Sequence, residues 1–273
     1  MSMHATEPVT FSTRRVAAMV LRYCYLLRSS WPRILDLIYW PAVQMLMWGF
    51  LQLYVAQNST FFNRAAGTFI GAVLLWDILF RGQLGFSISF LEEMYARNMG
   101  NLMMSPLRPI EFIAALMVMS MIRLAIGMVP VTLLAIAFFG FNLWGLGIAL
   151  AAFFLNLILT SWAIGILVAG LLLRNGLGAE SLAWTFMFLF LPLTCVYYPV
   201  TVLPNWLQPV AWALPPTYVF EGMRALVIDH VYRGDLMLQA FAINAVFFAA
   251  AMAAFYLLLA SARRQGTLLQ TGE

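Results

Sequence analysis

Six apolar stretches, each close to the length that carries a helix across a bilayer, leave this chain little choice of fold. About 20 apolar residues cross about 30 Å of hydrocarbon, and inside lipid a helix satisfies its backbone hydrogen bonds within one segment. The stretches cover residues 34–55, 65–90, 110–139, 146–173, 182–198 and 238–260, the fifth being short. Only 10% of the 273 residues are charged, against about 25% in soluble domains. The expected fold is an all-α membrane protein with six transmembrane helices in a single domain over residues 1–273.

The segment before the first span reads FSTRRVAAMVLRYCYLLRSS over residues 11–30 and is too charged to cross. Phe11, Val16, Met19, Val20, Tyr23 and Leu27 share one helical face, while Arg14, Arg15, Arg22 and Arg28 supply polar contacts. This is the pattern of an amphipathic helix lying at the membrane interface. The polar first ten residues and the arginines after them argue against a cleavable signal peptide. Six spans put both termini on one side. That side collects ten arginines (14, 15, 22, 28, 33, 97, 108, 174, 263 and 264), and the other collects three (64, 224 and 233). The excess of positive charge inside makes both termini cytoplasmic.

All fifteen basic residues are arginines. A GxxxxGK[ST] phosphate loop requires a lysine, so this chain does not bind a nucleotide in that way. Cys24, Cys195, His4 and His230 stand isolated, without metal-ligand spacing. No HExxH, His pair or Ser/His/Asp cluster is visible, so no catalytic residue and no metal site is singled out. No nucleic-acid partner is expected.

Asp77, Arg81 and Arg123 lie well inside the spans, and ionisable groups at bilayer depth face the bundle interior. Asp77 and Arg81 are four apart with the acid first, a favourable helical pair. Arg123 has no local acid. It either meets Asp77 across helices or stays hydrated, unless spans two and three extend beyond the bilayer and leave it shallow. Gly67 and Gly71 form a GxxxG step, which lets another helix approach closely.

Two polar interruptions remain. Residues 91–109, LEEMYARNMGNLMMSPLRP, lie on the cytoplasmic side between spans two and three and have room for one short helix and a turn. In residues 199–237, Pro199, Pro204, Pro209, Pro215 and Pro216 break any single spanning helix, yet Trp, Leu and Val abound. Two half-helices in a re-entrant hairpin fit this pattern, buried in protein or lining a cavity. An extracellular loop on the lipid surface is the alternative. Glu221 and Arg224, at i and i+3, are placed to pair on the second piece.

The amphipathic helix before six spans, the loop EEMYARNMGNLMMSPLRPIEF with its P-L-x-P turn, and the segment LPNWLQPVAWALPPTYVFEGMRALV before the last span together resemble a type-2 ABC transporter permease. In the last segment Pro216, Glu221 and Arg224 match a P…E-x-x-R helix with one spacing residue fewer than the general pattern. The resemblance covers nearly the whole chain. It implies the transmembrane subunit of an ATP-driven exporter in the bacterial cytoplasmic (inner) membrane. It further implies a second permease subunit, with a homodimer favoured over a heterodimer, and a separate cytoplasmic ABC ATP-binding subunit that holds the ATP and Mg, leaving no cofactor in this chain. The coupling helix of such permeases rests in a cleft of the ATPase, a role carried here onto Glu92, Glu93, Met94, Tyr95, Arg97, Asn98 and Leu102. Glu92 or Glu93 would then meet arginines of the partner. An amphiphilic, lipid-linked or glycan cargo is implied, because sugar-conducting relatives line a pore with aromatic rings and this chain is 15% aromatic. Aromatic residues also form belts at both membrane surfaces. The alternatives are a non-transporting membrane scaffold for the ATPase and an intramembrane enzyme.

Overall fold

A computed structural model describes residues 11–58 and 67–265. Arg64, His4 and the chain termini lie outside the described residues. Among the described residues there are helices and no strands. Five helices are long and apolar enough to cross a membrane: α2 (Trp31–Asn58), α3 (Thr68–Tyr95), α5 (Pro109–Phe139), α6 (Ile148–Asn175) and α10 (Gly234–Gln265). Helix α1 spans Thr13–Arg28 and α4 spans Met99–Met104, with α7 at Leu182–Leu193, α8 at Gln208–Trp212 and α9 at Pro215–Ile228.

The fifth expected span is where sequence and structure differ. Residues 182–198 do not form one continuous helix, since α7 has 12 residues and would rise only about 18 Å. Pro192 lies in its last turn, where it lacks the N–H that would bond back to Phe188. The chain then turns through Cys195 in the left-handed region, at φ 55°.

The core is built around α3, which packs against α5 on one side and α6 on the other. Helix α10 lies on α6, α2 lies on α5, and α9 bridges α6 and α10. Only α3 is enclosed nearly all round, whereas α2 and α10 leave most of their surface open. Two local features fix the register of these contacts. A Cβ on Gly85 would lie 3.2 Å from the Ser120 Cα, so the α3 and α5 backbones nearly touch there. Between α6 and α10, Thr160 donates to the Asn244 Oδ1 at 2.6 Å, and the Asn244 amide donates to the Asn156 carbonyl at 3.0 Å. The GxxxG step behaves differently from the expectation. Gly67 and Gly71 lie under the Phe141 ring, 3.0 and 3.3 Å from where their Cβ atoms would stand, so an aromatic side chain from the turn after α5 takes the groove that a helix was expected to use.

The prolines of the 199–237 segment start helices as well as break them. Pro209 sits in the first turn of α8, and Pro215 and Pro216 open α9, positions where a missing N–H has no partner to lose. The buried Arg224 donates to the Cys195 and Val196 carbonyls at 2.9 and 3.3 Å and to Glu221 at 2.9 Å. Glu221 in turn accepts the Val200 N–H at 2.8 Å. The Glu221/Arg224 pair therefore ties α9 to the turn that follows α7.

Candidate functional site

Helix α3 ends at Tyr95 in a hydrogen-bond pattern that closes its last turn tightly. The Arg97 N–H bonds to the Met94 carbonyl and the Asn98 N–H to the Glu93 carbonyl, both at 3.0 Å, with Arg97 at φ 52°. This is the Schellman ending, in which glycine is usual at the left-handed position. An arginine there costs about 1 kcal/mol, and its side chain is held out into solvent. The six-residue α4 follows. Pro109 then opens α5, where Glu111 accepts the Arg108 N–H at 3.0 Å.

Four arginines converge on three carboxylates around this turn. Glu93, 1% exposed, pairs with Arg22 through both oxygens and accepts from the Asn98 amide at 2.8 Å. Glu111, fully buried, accepts from Arg15 at 2.6 and 2.8 Å and from the Ser12 N–H at 2.7 Å. Glu92 receives Arg123 at 3.0 Å on each oxygen and Arg33 at 3.3 Å. Helix α1 is thereby bolted to both ends of the 91–109 stretch, to α3 through Arg22 and to α5 through Arg15, while α2 joins through Arg33. The Glu93 carboxylate raises the Arg22 guanidinium above its ordinary value, and burial pushes the Tyr23 hydroxyl beside it well above the usual phenol range.

This arrangement turns Glu92 and Glu93 toward the chain's own arginines, where the sequence reading had aimed them at a partner's. Arg123 meets neither Asp77 nor water alone, because its long side chain reaches back along α5 to Glu92. Asp77 and Arg81 approach to 3.8 Å on α3. Met94, Asn98 and Leu102 are half-buried, while Tyr95, Arg97, Asn101 and Met104 stand exposed, Met104 at 81%. The Tyr95 side chain lies beside Glu180 in the loop after α6, so the turn also neighbours that loop. Arg15, Arg22, Glu111 and Glu180 were not singled out as site residues by sequence. Their partners lie 71 to 96 residues away, or on another loop, beyond any spacing rule. No group of metal-ligating side chains is assembled among the described residues.

The pairs differ in weight. Arg33 is half exposed and its contact with Glu92 is the longest of the set, and such surface pairs contribute about 0–1 kcal/mol. Arg33→Ala is therefore expected to shift the unfolding midpoint of the detergent-solubilised protein by no more than about 2–4 °C, as thermal denaturation monitored by size-exclusion chromatography would record.

A family model described as ABC-2 type transporter matches residues 24–228. The match takes in α2 to α9, the ionic cluster's Glu92, Glu93 and Glu111, and the Glu221/Arg224 pair. No curated protein matches the chain.

Proposed function

The chain belongs to the ABC-2 type transporter family, a family of multi-pass membrane subunits that implies an ATP-binding ABC partner, and on that premise we propose that it is the permease of an exporter driven through the 91–109 stretch. The observation that carries this reading is the ionic cluster. A force applied to the turn at residues 96–108 meets α1, α3 and α5 through Glu93 and Glu111, and α2 and the middle of α5 through Glu92. The docking face is the exposed rim of Tyr95, Arg97, Asn101 and Met104, with Asn98 and Leu102 beneath it. Glu92 and Glu93 hold the rim in place from within. ATP and Mg bind on the partner.

In this reading the permease is a homodimer in the bacterial cytoplasmic membrane, with both termini in the cytoplasm. Apolar surface on α2 (Leu35, Val43 and Met47) and on α7 (Phe188 and Leu189) supports pairing with a second copy. Helix α7 with the residues after it makes the fifth crossing, and α8 and α9 form a re-entrant hairpin. The cargo is an amphiphile, in keeping with an apolar transmembrane surface.

The docking face has a direct test. Met104→Glu combined with Asn101→Arg alters only exposed side chains, so the unfolding midpoint should hold within about 2 °C, in line with the small effect of surface substitutions. Recovery of the ATP-binding subunit with the tagged permease should fall about tenfold, equivalent to about 1.4 kcal/mol of docking. Undiminished recovery of the partner would place the docking face elsewhere.

A further inference from the structure

Helices α2, α3 and α7 enclose a cavity of about 720 Å³ that opens on one side. Its walls are aromatic. Trp40, Trp76, Phe80, Trp184 and Phe188 line it, and the Phe80 ring lies 6.0 Å from those of Trp76 and Trp184. Two guanidinium groups, Arg81 and Arg123, face into it. Each is at least nine-tenths buried, and in each the Nε has no hydrogen-bond partner.

The two arginines are not equivalent. Arg123 is held at Glu92 by two hydrogen bonds. Arg81 has the 3.8 Å approach of Asp77, beyond hydrogen-bonding distance, and Asp36 of α2 within electrostatic range. Arg81 also sits in the middle of α3, about 20 Å from either end, where an unmatched cation is most costly. Asp77 is fully buried and does not line the cavity, and it takes no hydrogen bond from Arg81, whose Nε is left without a partner. The one carboxylate among the lining residues, Asp36, belongs to α2 and is exposed. The cavity thus presents two buried guanidinium groups inside an aromatic wall, with one exposed acid, Asp36, among its lining residues.

We propose that this cavity takes the anionic head of an amphiphile, a phosphate or carboxylate with Arg81 as its principal donor, while the aromatic rings pack along the apolar chain. This names the cargo class of the permease described above and rests on that reading for its biological meaning. The binding itself is measurable without transport.

The test uses the full chain in nanodiscs of neutral phosphatidylcholine, alone and with the ATP-binding subunit. Brominated amphiphiles of one chain length serve as probes, with tryptophan quenching as the readout. An alkyl phosphate is expected to bind at least tenfold tighter than the alkyl maltoside or the alkyl trimethylammonium. Brominated phosphatidylglycerol separates the sources: saturable quenching by either anion supports the proposal and says whether a free amphiphile or a bilayer lipid supplies the head. Arg81→Gln leaves Asp77 buried without its cation, so it is paired with Asp77→Asn. The double variant should lose the tenfold preference, and Asp77→Asn alone should keep it. Equal affinity for all heads, a preference for the cation, or a preference that survives the double variant would overturn the inference. A complex that hydrolyses ATP and transports without any head preference removes this inference alone. A head preference in a chain that never assembles with the ATP-binding subunit removes the permease reading alone.

Discussion

Glu93→Arg is expected to destabilise the protein by about 3–5 kcal/mol, the range for breaking a buried ion pair and leaving a charge unmatched. The carboxylate is 1% exposed and holds Arg22, itself 38% exposed, and the Asn98 amide together, so the variant buries a guanidinium against Arg22 in place of its carboxylate. The reciprocal exchange, Arg22→Glu with Glu93→Arg, restores opposite charges across the same gap and should recover at least half of the loss. Thermal unfolding of the solubilised protein, together with protease access to α1, measures both. If the single variant unfolds at the wild-type temperature, α1 is not fastened through this pair. The same result bears on transport assays: in the proposed reading a charge reversal at Glu93 reports on the fold of the turn, and changes at its outer rim report on docking.

Gly127→Val should be the most damaging single substitution between α2 and α5. Pro41 lies inside α2 and has no N–H to give the carbonyl four residues earlier, which belongs to Leu37. Gly127 of α5 comes up against that freed oxygen, so closely that a Cβ would stand 2.7 Å from it. The glycine lets its Cα–H face the carbonyl, a weak hydrogen bond where the helix has lost a strong one. A valine has no soft side chain to displace, only backbone. The expected cost is about 3 kcal/mol, the top of the range for overpacking. Gly127→Ala should also destabilise the protein, by less. A wild-type unfolding midpoint for the valine variant would mean that the two helices separate there without penalty.

Both of these contacts show what a sequence reading reaches. The long apolar runs that became α2, α3, α5, α6 and α10 were legible because length and hydropathy are local properties. The same holds for α1, whose apolar residues repeat at helical spacing; the prolines of residues 199–237 marked breaks, whereas the helix starts at Pro209 and Pro215 were not read from them. Pairings were legible only within one turn of helix, as for Asp77 with Arg81 and Glu221 with Arg224. Arg123 looked unpartnered because Glu92 lies 31 residues away on another helix, and Glu111 drew no attention because its arginine comes 96 residues earlier. The fifth span was misjudged in length because hydropathy averages over Pro192, whereas the backbone responds to the missing N–H at that one position. Gly67 and Gly71 were correctly seen as a place of close approach, but nothing local specifies that Phe141 makes it.

The enclosure of α3 also bears on how the protein enters a membrane. A helix surrounded by protein can be less apolar than one facing lipid; the mean hydropathy of α3 is 1.4 against 2.1–2.2 for α5, α6 and α10, with the open α2 also at 1.4. Asp77 and Arg81 stand near its middle, where the insertion machinery charges about 2.5–3.5 kcal/mol for each such residue. The helices that shield them, α5 and α6, are synthesised after α3. The central helix therefore leaves the ribosome before its surroundings exist, and its stable integration must wait for the later hairpin. Biogenesis of this chain is in that sense retrospective: the second half of the sequence decides whether the first half stays in the bilayer.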